Sequence, residues 1–136
     1  MAARSKARRR ALDILFESEA RGVPSAEVLE ERLSAGDPPV HDYTVTLVRG
    51  VAENAARIDD LLASYAQGWS LARMPAVDRN VLRIGVFEIM YLDDVPDAVA
   101  VSEALNLVRE LSTDESPTFV NGVLGNILRN KPALSA

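Results

Sequence analysis

An all-α fold is what this sequence predicts, and three observations predict it. Apolar residues recur at three- and four-residue intervals along nearly the whole chain, and the strict alternation of a half-buried strand is absent. Breakers fall between the periodic stretches: Gly22 with Pro24, the run Ala35-Gly-Asp-Pro-Pro39, and Pro96. One stretch, Pro75 to Leu92, is apolar on nearly every side, the pattern of a buried central helix.

The elements follow in order. A first helix spans roughly Lys6 to Arg21, with Ala7, Ala11, Ile14 and Leu15 on one face and Gly22 as its stop. Ser25 caps a short second helix to about Ser34, with Val28, Leu29 and Leu33 inward. A long third helix runs from about Asp42 to Ala66 on the stripe Leu47, Val48, Val51, Ala55, Ile58, Leu62 and Tyr65. After a break at Gln67-Gly-Trp-Ser70 comes the central helix, with Pro75 in its first turn and Asp78 near the positive end of its dipole. A helix after Pro96 carries Ala98, Val101, Ala104, Leu105, Val108 and Leu111 inward. A last helix begins at Ser116-Pro117, buries Val120, Val123, Leu124, Ile127 and Leu128, and ends near Asn130 before Pro132. The expected architecture is a helical bundle.

At 136 residues the chain fits one domain with a real core. It has no cysteine, which excludes disulfides and thiolate metal sites and fits a cytoplasmic location. No stretch is long and apolar enough to span a bilayer, and acids at positions 13, 17 and 19 interrupt any secretory signal. The net charge of −5 hides an asymmetry. Arg4, Lys6, Arg8, Arg9 and Arg10 fill the first ten residues without an acid, while the remainder holds ten basic and twenty acidic side chains. A basic arm on an acidic body suggests a polyanionic partner, nucleic acid above all; a solvated terminus is the bland reading.

No catalytic constellation is visible, so the chain reads as a non-enzyme without a cofactor or metal. His41 is the only histidine and lies beside a loop. The pairs Asp59-Asp60 and Asp93-Asp94 lack further ligands at metal spacing. Gly122-Val-Leu-Gly125 matches the bare pattern of an RNA-clamping loop, but it lies within an apolar helical stripe and is a chance match. Recognition remains. RNA binding combines cations for phosphates with aromatic faces for unstacked bases. Among the aromatics, Tyr65 and Phe119 are the two with a route to the surface, and the others are expected mostly in the core.

Four segments carry a family resemblance. They are Ala7 to Glu19, Ala76 to Ile84 (Ala-Val-Asp-Arg-Asn-Val-Leu-Arg-Ile), Val95 to Ala104 and Phe119 to Leu124 (Phe-Val-Asn-Gly-Val-Leu). In this order they closely resemble the NusB family of bacterial transcription antitermination factors. The resemblance implies one NusB-like domain of about seven helices. It comprises two small bundles, about 1–68 and 69–136, with a basic arm at 1–10.

It also implies binding to the boxA element of ribosomal RNA leader transcripts together with the ribosomal protein NusE. The pair joins elongating RNA polymerase with other Nus factors. No membrane is involved, and a homodimer is allowed. Arg4, Lys6 and Arg8 match the family's arginine-rich arm, and Arg9 and Arg10 extend it. Tyr65, Arg83 and Phe119 fall where the family meets RNA, with a structural ion pair as the other reading of Arg83. Phe16 and Asp78 fall on the NusE-facing surface. Glu115 would sit close to RNA and temper affinity. The alternative reading is an accessory or protein-interaction domain of RNA-modification machinery that does not bind RNA by itself.

Overall fold

The computed structural model describes residues 3–134, and among these every regular element is helical. The chain divides into two compact units, residues 1–54 and 55–136. The division falls earlier than the expected boundary near residue 68.

In the first unit, α1 (Ala3–Arg21), α2 (Ser25–Ala35) and α3 (Asp42–Glu53) pack pairwise around Ala11, Ile14, Leu15, Val28, Leu29, Leu47 and Val48. Gly22 ends α1 in the left-handed conformation (φ 69°) that glycine adopts without a Cβ penalty. Val23 N–H then donates to Ser18 O, which satisfies a terminal carbonyl. Leu33, expected inward, is exposed. His41 caps α3 by accepting the Tyr43 N–H on Nδ1 at 3.0 Å.

The single long helix expected over 42–66 is broken. Asn54 leaves helical geometry (ψ 19°), and its Nδ2 donates to Gly50 O at 2.8 Å.

The second unit holds α4 (Ala55–Tyr65), a 3₁₀ turn (Leu71–Arg73), α5 (Ala76–Tyr91), α6 (Asp97–Leu111) and α7 (Ser116–Leu134). Helix α5 is central and packs on α4, α6 and α7, as its near-uniform apolarity requires. Arg79 Nη1 donates to Leu71 O and Met74 O at 2.7 and 2.9 Å, fastening the 3₁₀ turn to the start of α5. Gly85 lets α7 approach closely: a Cβ there would lie 3.2 and 3.3 Å from the two Leu124 methyls.

Two expectations fail in detail. Helix α6 buries Ala100, Ala104, Leu107 and Val108, a stripe rotated from the expected one, and exposes Ala98. Helix α7 runs through Pro132 to Leu134 instead of ending near Asn130. A proline this close to a helix end forfeits little hydrogen bonding. Gly122 and Gly125 lie inside α7 beside the buried Val123 and Leu124, so they form no clamp loop.

Candidate nucleic-acid interface

The basic segment is not a separate arm. From Ala3 onward it forms the first turns of α1; residues 1 and 2 lie outside the described part. Helical spacing divides its cations. Arg4 and Arg8 share a face and turn onto the ring of Tyr43, with guanidinium carbons 4.2 and 5.4 Å from its centroid. Arg8 is only 3% exposed, so this expected RNA contact is a packing residue.

Lys6 and Arg10, also four apart, lie on another face; Lys6 is exposed and Arg10 half-buried. Arg9 stands 3.9 Å from Asp13. Burial raises the Asp13 carboxyl above its ordinary range, and Arg9, Arg10 and Arg32 oppose that rise.

Further along α1, Phe16 is 42% exposed. Beyond it, Glu17 and Glu31 hold the α1–α2 corner. Arg21 donates to Glu17 at 2.7 Å and to both Glu31 oxygens at 2.8 and 3.0 Å, and Arg32 also bonds Glu17. The Arg21 hydrogen bonds hold both carboxyls below the usual range.

In the second unit, Tyr65 is half-buried at the end of α4. Arg83 makes a two-pronged ion pair with Asp59, Nε–Oδ1 2.9 Å and Nη2–Oδ2 3.2 Å, and its Nη1 donates to Asn80 Oδ1. Of the two readings open for Arg83, the geometry is that of the structural pair.

Asp78 departs from expectation. It is 2% exposed, and its two oxygens accept hydrogen bonds from Ser112 Oγ (2.6 Å) and Ser116 Oγ (2.8 Å). So enclosed, the carboxylate is engaged within the fold rather than displayed on the surface. Its observed work is to tie the start of α5 to the turn between α6 and α7.

Phe119 lies half-buried near the start of α7, against the edge of Trp69, with centroids 6.0 Å apart at 61°. The two rings line a cavity of about 490 Å³ with Pro75, Asp78 and the turn from Thr113 to Ser116. Its charged lining residues, Asp78, Asp114 and Glu115, are all acidic. Trp69 is 49% exposed. The sequence pattern groups it with the mostly core aromatics, although its position directly after Gly68 in a helix break is a usable signal of exposure. Among the described residues no group of three or more His, Cys, Asp or Glu is arranged to hold a metal.

The NusB family model matches residues 5–129, nearly the whole described chain. The chain belongs to the NusB family. The transcription antitermination protein NusB of a Nocardioides species is 65% identical over 135 residues, covering 99% of this chain and 100% of the relative. That of Thermobifida fusca is 55% identical over 97% of this chain and 93% of its own.

Among solved structures, T. maritima NusB superposes with a TM-score of 0.84 at 33% identity, covering 94% of this chain and 92% of that one. A chain from a crystal structure of the antitermination factors NusB and NusE in complex with dsRNA superposes with a TM-score of 0.80 at 26% identity. It covers 93% of this chain and 96% of its own. The NusB fold thus covers 94% of this chain, with seven α-helices among the described residues.

Proposed function

We propose that this NusB-family chain is an RNA-binding transcription antitermination factor. It acts in the cytoplasm with NusE on the boxA element of ribosomal RNA leader transcripts, and it joins elongating RNA polymerase with other Nus factors. The work is binding, not catalysis. The observation that carries this reading is the match, along nearly the whole chain, to a NusB solved with NusE and dsRNA. Relatives matched over their full length carry the antitermination name, which favours this reading over an accessory domain of RNA-modification machinery.

Phosphate contacts are assigned to Lys6, Arg10 and Arg4, with Arg9 beside them, on the first turns of α1. Tyr65 and Phe119 are the aromatic faces offered to unstacked bases, and Trp69 joins Phe119. Base stacking is worth roughly 1–3 kcal/mol per base. Phe16 is the residue assigned to NusE.

A gel shift with boxA RNA and a scrambled RNA, each with and without NusE, tests the reading. Preferential boxA binding that NusE strengthens is expected, and equal binding of both RNAs in both conditions refutes it. Replacing Arg4, Lys6 and Arg10 with alanine weakens binding and lowers the salt slope by about 0.7 for each single-strand phosphate no longer neutralised. Unchanged affinity in that variant removes the basic turn from the site.

A further inference from the structure

The first turn of α3 builds a seat for the basic end of α1. Tyr43 is 6% exposed, with its N–H held by the His41 cap and its ring under Arg4 and Arg8. Next to it, Thr44 Oγ1 donates to Ala7 O at 2.9 Å, pinning the same stretch of α1 from the backbone side. Ala7 and Ala11 complete the contact with small side chains that let the two helices close. A run of five cations in ten residues repels itself and would fray by itself. Here one ring faces two of the guanidiniums.

We propose that Tyr43 is a positioning residue for RNA. Its ring holds Arg4 and Arg8 so that the basic turn is already helical before RNA arrives, with Lys6 and Arg10 presented together on a neighbouring face. A cation–π contact engages the flat face of a guanidinium, whereas phosphate recognition uses the N–H groups of its edge, so the ring contact itself does not compete with phosphate. Pre-organisation removes the cost of ordering the segment upon binding. This inference rests on the proposed RNA function.

The test compares Tyr43→Phe, which keeps the ring face, with Tyr43→Met, which fills much of the space without one. Binding of boxA RNA is measured across a salt series, and amide hydrogen exchange is followed over residues 3–10. Tyr43→Met is expected to lose about fivefold in affinity. It should also show a shallower salt slope and faster exchange in 3–10, with exchange in α2 unchanged. Tyr43→Phe stays within about twofold of the native chain. A folded Tyr43→Met with native affinity and slope overturns the proposal.

Arg4→Gln lies on the exposed side of the pair and does not endanger the core. Should Tyr43→Met not fold, this variant carries the test: exchange at 4–8 must speed up, and unchanged exchange overturns the proposal. The Arg4, Lys6 and Arg10 triple variant separates the two layers. If it binds RNA like the native chain, the RNA role of this turn fails and the inference with it. If it loses binding while Tyr43→Met retains it, only the role of Tyr43 fails.

Discussion

Asp78→Ala is the most informative single substitution in the second unit. It removes a buried carboxylate whose two oxygens accept hydroxyl hydrogen bonds at 2.6 and 2.8 Å from Ser112 and Ser116. A hydrogen bond to a charged group contributes about 1.5–3 kcal/mol. Ser112 is half-buried and can turn to water, so the lower end applies and the pair sums to about 3 kcal/mol. Loss of an acid from the first turn of α5 adds a few tenths to about 1 kcal/mol. The expected outcome is a fall in melting temperature of about 10 °C, read by circular dichroism. Asp78→Asn keeps one acceptor and should cost about half as much, roughly 1.5 kcal/mol. If Asp78→Ala unfolds within about 0.5 kcal/mol of the native chain in urea, a spread ordinary for surface substitutions, the staple has no energetic weight. If that same stable variant then fails to bind NusE, Asp78 regains the partner-facing role that its burial argues against.

Other outcomes follow from the same geometry. Gly85→Ala gains helix propensity but drives a methyl into Leu124, whose neighbours Val123 and Ile127 are also buried. A net loss of about 1 kcal/mol by urea unfolding is expected, and a stabilised variant would show that the α5–α7 contact is loose. A double-mutant cycle on Asp59 and Arg83 should return a coupling of about 1 kcal/mol for this partly buried pair; zero coupling would reopen Arg83 for other work.

The α1–α2 corner sets a pH dependence. Folded Glu17 and Glu31 are held below their ordinary range by Arg21, so the folded state binds fewer protons than the unfolded one. Their contribution is complete above the ordinary glutamate range and is lost as pH falls through the depressed folded values. Asp13, shifted upward by burial, acts in the opposite sense. Urea midpoints measured from pH 7 down to pH 3 should fall, and Glu31→Gln should flatten that fall. Parallel curves for the two proteins would exclude the corner as its source.

Helix identity is legible wherever apolar spacing and a breaker agree, as at Gly22 and across the central helix. It is illegible where spacing continues through a local stop. Val51 and Ile58 keep the helical period across Asn54, so nothing in the apolar spacing marks the end of α3 there. Helix α6 has small and branched apolar residues on adjoining faces, so two stripes fit the period and packing selects the one at Ala100, Ala104 and Val108.

The candidate site is least legible at residues whose partners are remote in sequence. The hydroxyls that enclose Asp78 lie 34 and 38 residues away. The ring that seats Arg4 and Arg8 belongs to α3, while charge density alone implies a mobile arm. Arg83 stands between two readings in the sequence, and the acid it pairs with, Asp59, lies 24 residues earlier and outside the pattern of its own helix.

Trp69, the only tryptophan of the chain, turns the acid-lined cavity into its own optical instrument. A half-exposed indole leaning edge-on against Phe119 emits according to how wet its surroundings are, so anything that enters or seals that space changes the spectrum without an attached dye. The first unit contains no indole, and its titration by RNA is silent at these wavelengths unless the second unit responds. Under the proposed function, two events that a gel shift would merge into one band become separable by colour: filling of the Trp69 cavity, and neutralisation of the basic turn on α1.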